Sequence, residues 1–359
     1  MAADGANSKT TVSLKRILLV LNCLMLSIGT TGGPLVMRLY YIHGGKRVWL
    51  ASWLQTAASP FVIIPLAISY FRRCTMSAAS SSGSPNPSPI LIKPILFVAA
   101  LLVGILSGVD NYFYAYGGAR LPVSTSCLII ASQLGFTAFF AFLLVKQRLT
   151  PYSINSVVLL TLGAVVLALH AGSDRPEGES NGQYVLGFVM TVLAAALYGL
   201  MLPLVELSYH KAKQVMTYSL VMEYQLVMSI SATIFCTVGM LVNKDFQAIR
   251  REAKEFDLGE FKYYLVLVSS GILWQCFFLG AIGVIFCASA LTSGIIVSVM
   301  LPVTEVLAAI FFKEKFSAEK GVSLVLSLWG FASYFYGEFK QNKKRNQNQN
   351  HEMNSHIIP

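Results

Sequence analysis

Charge is what this chain has least of. Only 12% of its 359 residues are Asp, Glu, Lys or Arg, where a soluble domain carries about 25%. That shortfall leaves too little charge for a water-exposed surface and argues against soluble enzymes, nucleic-acid binders and disordered scaffolds. Catalytic signatures are missing as well. There is no GxxxxGK[ST] phosphate loop to drive transport with ATP and no HExxH. The histidines, His43, His170, His210, His351 and His356, fall near loops or tails. No catalytic residue, metal site or cofactor is expected. Cys23, Cys74, Cys127, Cys236, Cys276 and Cys287 show no CxxC spacing and read as small buried hydrophobes. No Asn-x-Ser/Thr sequon occurs.

What is present is apolar length. Hydrophobic residues make up 55% of the chain, and the mean hydropathy is +0.62. Runs long enough to cross about 30 Å of hydrocarbon recur at 14–37, 48–71, 94–116, 122–145, 153–170, 184–206, 219–242, 263–285, 290–312 and 320–338. The expected fold is an all-α polytopic membrane protein with ten transmembrane helices. The first run is too long for a signal-peptide core and reads as a retained helix. Residues 1–13 and 339–359 read as polar, disordered tails, and Ser77–Pro89 as a flexible linker. Between Asn243 and Lys262, mixed charges interleaved with Phe246, Ile249, Ala253 and Phe256 suggest a short amphipathic helix lying on the bilayer. The net charge of +10 sits in loops and tails, as beside anionic lipid, so the expected partner is the bilayer rather than nucleic acid. Basic residues divide almost evenly between the two sides; net charge puts both termini in the cytosol.

An internal repeat organises the spans. LLVKQRLTPYS from Leu143 resembles IFFKEKFSAEK from Ile310, aligning Lys146 with Lys313 at an offset of 167. The same offset brings Thr125-Ser126 to Thr292-Ser293 and Gly163 to Gly330. GPLVMRLYY from Gly33 matches LPLVELSYH from Leu202. A shift of five spans is odd, so the halves 14–170 and 184–338, joined by 171–183, are expected to be inverted relative to each other, as in secondary transporters.

Polar residues inside apolar spans are the candidate site. Asp110, Glu206, Glu223 and Glu305 each cost about 2.5–3.5 kcal/mol at a lipid-facing helix centre, so they are expected to face the interior or a span end. Ser107, Asp110, Asn111 and Tyr114 share a face of the third span, and Ser126, Gln133 and Thr137 one of the fourth. Gly294, Ser298 and Glu305 do so on the ninth, with Pro302 interrupting it. Trp274 and Phe278 lie one turn apart, with Gln275 beside them. Such a cavity offers carboxamides, carboxylates and ring faces to a flat ligand. The bland alternative for Ser and Thr is polar glue between helices, and for Trp49 and Trp53 an anchor at the membrane interface.

These motifs together resemble the plant purine permeases of the drug/metabolite transporter superfamily. The matching stretches are GGPLVMRLYYIHGGKRVW (Gly32–Trp49), GVDNYFYAYG (Gly108–Gly117), LPVSTSCLIIASQL (Leu121–Leu134), LPLVEL (Leu202–Leu207), WQCFFLGAIG (Trp274–Gly283), LPVTEV (Leu301–Val306) and KGVSLVLSLWGFASYFYGE (Lys320–Glu338). The resemblance implies ten helices in two inverted five-helix repeats, a central site and proton-coupled uptake across the plasma membrane. It implies adenine-type purines and cytokinins as substrates, or nicotine-like alkaloids in some branches. On that reading Asn111, Tyr114, Gln133, Trp274, Gln275, Phe278 and Trp49 bind substrate. Glu305, Asp110 and Glu206 are the candidate proton carriers, and no obligate protein partner is implied. A membrane-embedded enzyme and a non-transporting receptor or scaffold are the competing classes; the first lacks a catalytic constellation.

Overall fold

In the computed structural model of the chain, the structure describes residues 2–79, 88, 90–147, 150–169, 180–212, 214–313 and 318–355. Most of the Ser77–Pro89 linker and of the 171–183 connection lie outside them. In chain order the helices are α1 (Ala2–Ile42), α2 (Val48–Ala57), α3 (Ile63–Ala79), α4 (Pro94–Arg120), α5 (Val123–Ala131), α6 (Gln133–Val145) and α7 (Pro151–Leu169). They continue as α8 (Asn181–Lys211), α9 (Tyr218–Val242), α10 (Asp245–Glu255), α11 (Glu260–Cys287), α12 (Ala290–Phe312) and α13 (Ala318–Ser355). No strand occurs among the described residues.

Eight helical stretches among the described residues are long and apolar enough to cross a membrane, and the protein is a multi-pass membrane protein. The expected second span is built from two helices: a 3-10 turn at Ser59–Val62, with Pro60 in its first turn, separates α2 from α3. The expected fourth span is likewise in two pieces, α5 and α6, which meet at Ser132. α7 and α13 stand at the fifth and tenth expected spans. The ends expected to be unstructured are helical: α1 begins at Ala2 and α13 continues to Ser355.

Local chemistry fixes the boundaries. Ser180 and Gln183 form a reciprocal capping box at the start of α8. Thr217 and Ser289 cap α9 and α12 through their side chains. Pro94 and Pro151 occupy first-turn positions where their missing N–H costs nothing. α6 and α12 both end on a lysine in the left-handed region, Lys146 at φ 55° and Lys313 at φ 51°. These are the two residues aligned by the repeat.

The outward faces are apolar. Ile17, Leu21, Leu24 and Ile28 of α1, spaced four, three and four residues apart, are all exposed, a stripe that suits lipid and not water. Inward, helices approach closely through glycine. A Cβ on Gly29 would meet the Phe277 backbone at 2.5 Å, and one on Gly280 would meet the Leu26 backbone at 2.5 Å, so α1 and α11 pack antiparallel backbone to backbone. α7 and α13 are also antiparallel: Tyr152 lies against Gly337, Ser156 against Gly330 and Gly163 against Ser323. Lys146 and Lys313, each just before one of these helices, therefore lie at opposite ends of the pair.

The loop between α9 and α11 does contain a short helix, α10. It buries Ala248 and Ala253, with Phe256 buried just past its end, and leaves Phe246 41% exposed. A polar network ties it down. Glu252 accepts from Tyr40 Oη at 2.5 Å, Tyr263 Oη at 3.1 Å and the Lys46 backbone N–H at 3.2 Å. Asp245 accepts from Asn243 at 2.8 Å and pairs with Arg47 at 3.4 Å. Burial holds the Asp245 carboxyl above its ordinary value, with Asn243 and Arg47 opposing the shift. α10 is thereby locked to the α1–α2 turn and to the start of α11.

Candidate functional site

Seven helices surround a central cavity with an empty volume of about 480 Å³, mouth included. Thr30 and Pro34 come from α1, Asp110 and Tyr114 from α4, Ile130 from α5 and Gln133 from α6. Ala194 and Tyr198 of α8, Trp274, Phe277 and Phe278 of α11, and Val297 and Leu301 of α12 close it.

The walls are largely aromatic. Trp274 stands edge-on to Tyr114 (centroids 5.4 Å apart, 79°) and to Phe277 (5.4 Å, 81°). Tyr198 tilts over Phe277 at 5.4 Å, and Phe278 lies 6.4 Å from Trp274. Against this apolar lining stand polar atoms with nothing to bond. Asp110 Oδ1, Gln133 Nε2, Tyr198 Oη and Trp274 Nε1 are all buried without a hydrogen-bond partner. Buried polar groups are satisfied in the large majority of cases, and each orphan carries a desolvation cost of about 1–3 kcal/mol. Four of them around one cavity form a set of donors and acceptors waiting for a ligand.

The backbone explains how they converge. The break at Ser132 puts Gln133 at the first position of α6, where its carbonyl accepts from Thr137 Oγ1 at 3.0 Å and its side chain stays available. On α8, Gly199 meets the Gln133 carbonyl at 3.2 Å from its Cβ position. That close approach brings the neighbouring Tyr198 to the cavity.

Of the residues singled out in the sequence, Asp110, Tyr114, Gln133, Trp274 and Phe278 meet in this cavity. Others lie elsewhere. Asn111 is fully buried but not part of the lining; its carbonyl accepts from Gln55 of α2 at 3.1 Å, and its side chain has no partner. Gln275 sits on another face of α11 beside Phe61 and Pro65. Trp49 stacks on Tyr112 at 4.1 Å and packs against Gly239 of α9. Trp53 donates its indole N–H to Thr237 at 3.0 Å. Glu305 is fully buried on α12, outside the lining. Glu206 accepts from the Ala290 N–H at 2.7 Å and so holds the start of α12. Glu223 does the same work before α4, accepting from Leu91 and Ile92 at 2.8 and 2.9 Å.

Sequence reasoning missed Tyr198, Phe277 and Thr30. Tyr198 offered one signal, a lone tyrosine beside a glycine in mid-span. It also missed Lys320, which is 1% exposed and donates to Ser124 at 2.7 Å. Among the described residues no group of His, Cys, Asp and Glu could hold a metal ion.

A family model described as purine nucleobase transmembrane transport matches residues 17–344. The chain belongs to the purine permease family. Purine permease 3 of Arabidopsis thaliana is 55% identical over 337 residues, covering 94% of this chain and 95% of that protein. Purine permease 2 of the same plant is 52% identical over 344 residues, covering 93% and 95%. Relatives are thus permeases, transporters and not enzymes, and the family's activity is movement of purine nucleobases across a membrane. For a purine permease the cavity chemistry is apt. A purine is flat, with a π-face for Trp274 and the phenylalanines, and its edge alternates acceptors and donors that can match the orphaned atoms.

Proposed function

We propose that the permease imports adenine-type purines and cytokinins across the plasma membrane in symport with protons, binding the base in the central cavity. The observation that carries this reading is the four unpartnered polar atoms of Asp110, Gln133, Tyr198 and Trp274 within an aromatic box. The ring lies among Tyr114, Trp274 and Phe278; Gln133 offers an amide to the ring edge, and Tyr198 and Trp274 donate to ring nitrogens. Asp110 is the favoured proton carrier because it lines the cavity, whereas Glu305 and Glu206 stand off it. Loading and releasing a proton next to the base would couple the two fluxes.

The architecture proposed with this function is ten spans in two inverted repeats, with both termini cytosolic. Support comes from paired features at the repeat offset. Lys146 and Lys313 both end their helices in the left-handed region. Gly163 rests on Ser323 while Gly330 rests on Ser156, the same contact with the halves exchanged. One fixed site between inverted halves is the arrangement that alternating access needs.

A second reading, import of a protonated alkaloid-type amine, is favoured by the same carboxylate among rings, since a cation there gains both an ion pair and cation–π contact. The test is uptake of labelled adenine by purified permease in liposomes at two external pH values, with amines and cytokinin bases as competitors. Wild-type accumulation should rise at acid external pH. Asp110→Asn should keep exchange of internal for external base yet lose pH-dependent accumulation. Retention of the wild-type pH profile in Asp110→Asn, with its loss in Glu305→Gln, would move the coupling site to α12.

A further inference from the structure

Away from the central cavity, a groove opens where α3, α9 and the entry to α4 meet. Its empty volume is about 910 Å³, mouth included. Leu66 of α3, Ile92, Pro94 and Phe97 at the entry to α4, and Leu226 and Val227 of α9 form walls of it. Glu223 is the one polar residue among the described residues that line it. Ser69 of α3 meets Ser219 of α9 at 2.6 Å, one turn nearer the start of α9, which bridges the groove on that side. Ile90 and Phe97, 66% and 40% exposed, leave it open sideways to the bilayer.

The protein uses only half of the Glu223 carboxylate. Its Oε2 accepts from the Leu91 and Ile92 N–H groups and so fixes the entry to α4. Its Oε1 is buried and has no hydrogen-bond partner, and the residue as a whole is 7% exposed. No basic side chain among the described residues forms an ion pair with it. A buried carboxylate oxygen with no donor is costly, and the apolar side chains around this one have none to give.

Depth and charge define the missing partner. Leu91 and Ile92 precede the start of α4 at Pro94. That helix has 27 residues and so runs about 40 Å, against about 30 Å of hydrocarbon. Glu223, held to the residues before it, therefore stands where lipid headgroups begin. The partner must bring positive charge with N–H donors to that level. It must also carry an apolar body that lies over Leu226 and Val227, about one turn deeper. A phospholipid with a primary ammonium headgroup has both. A trimethylammonium headgroup has the charge but no N–H, and an anionic headgroup would be repelled.

We propose that this groove binds phosphatidylethanolamine from the surrounding bilayer, its ammonium donating to Glu223 Oε1 and an acyl chain lying along Phe97, Leu226 and Val227. The inference is independent of which substrate occupies the central cavity.

Lipid retention by the purified permease tests it. The protein in detergent is mixed with phosphatidylethanolamine, its N-methyl and N,N-dimethyl forms, phosphatidylcholine or phosphatidylglycerol, all with the same acyl chains, and bound lipid is counted by native mass spectrometry. The wild type should retain the ethanolamine lipid about fivefold or more over the choline lipid, with the methylated forms between them in order. Glu223→Gln keeps a carbonyl oxygen for the Leu91 and Ile92 amides and should bring the ethanolamine lipid down to the choline level. Leu226→Trp fills the groove, leaves the carboxylate in place and should do the same. Equal retention of the two lipids by the wild type overturns the inference, as does strongest retention of phosphatidylglycerol or an ethanolamine preference that survives either variant. If Glu223→Gln fails to fold, the headgroup series on the wild type and Leu226→Trp decide.

Discussion

Replacing Gln133 by leucine separates a ligand-binding amide from a structural one. Gln133 is 2% exposed, and its Nε2 has no partner in the empty protein. Leucine has a similar size and no polar atoms. In the empty state the change removes an unsatisfied donor, whose burial costs about 1–3 kcal/mol, so the folded protein should be as stable as the wild type or more so. With a base bound, the same change deletes a hydrogen bond and leaves the base's own edge group unpaired. The loss of about 1–3 kcal/mol corresponds to roughly five- to 150-fold in affinity. Two assays on one purified sample read both arms: thermal unfolding in detergent without ligand, and the rise in melting temperature with adenine. Uptake kinetics at matched surface expression give the third number, the apparent KM. If Gln133→Leu lowers the stability of the empty protein and leaves the adenine KM unchanged, Gln133 is glue between helices and the site reasoning fails.

Three further outcomes follow from the geometry. Trp49→Ala removes a stacked ring from the α2–α4–α9 contact and should lower thermal stability by about 3 kcal/mol, while the adenine KM of the remaining folded protein stays at its wild-type value. Lys146→Gly and Lys313→Gly relieve left-handed backbone at two helix ends and should each stabilise the protein by about 0.5–1 kcal/mol, read as an upward shift in melting temperature. Asp245 has a raised folded-state pKa, so the folded protein holds its proton more tightly than the unfolded chain. Its contribution to stability is therefore present below the ordinary carboxylate value of about 3.9 and is lost as pH rises through the folded value. Asp245→Asn should accordingly gain stability relative to wild type as pH rises across that window, and melting curves at a series of pH values check the sign.

How far the site could be read from sequence follows from helix geometry. Spacing of four places Asp110 and Tyr114 on one line of α4, and Trp274 and Phe278 on one line of α11; both pairs face the cavity. Immediate neighbours stand about 100° round a helix. Asn111 therefore falls outside the cavity that Asp110 lines, with its carbonyl accepting from Gln55 of α2, and Gln275 turns from Trp274 toward Phe61, although a polar stripe in one dimension groups them. Tyr198 gave only the weak signal of a tyrosine beside a glycine and Phe277 gave none, because the middles of α8 and α11 are mostly apolar and packing decides which face of such a helix is inside. Glu206 and Glu223 marked the right depth, near span ends, but their partners are backbone amides of distant segments, which no spacing rule reveals. The surface helix α10 was legible because its charges and apolar residues alternate with helical period; its tethers to Tyr40 and Arg47 reach back 212 and 198 residues in sequence.

The most direct test of the central claim is a structure determined with adenine at saturating concentration. The account predicts ring density in the central cavity, bounded by Trp274 and Phe278, with polar edges within hydrogen-bond distance of Gln133, Tyr198 and Asp110. Adenine density on the Trp49–Tyr112 stack, or anywhere else outside the cavity, would contradict it.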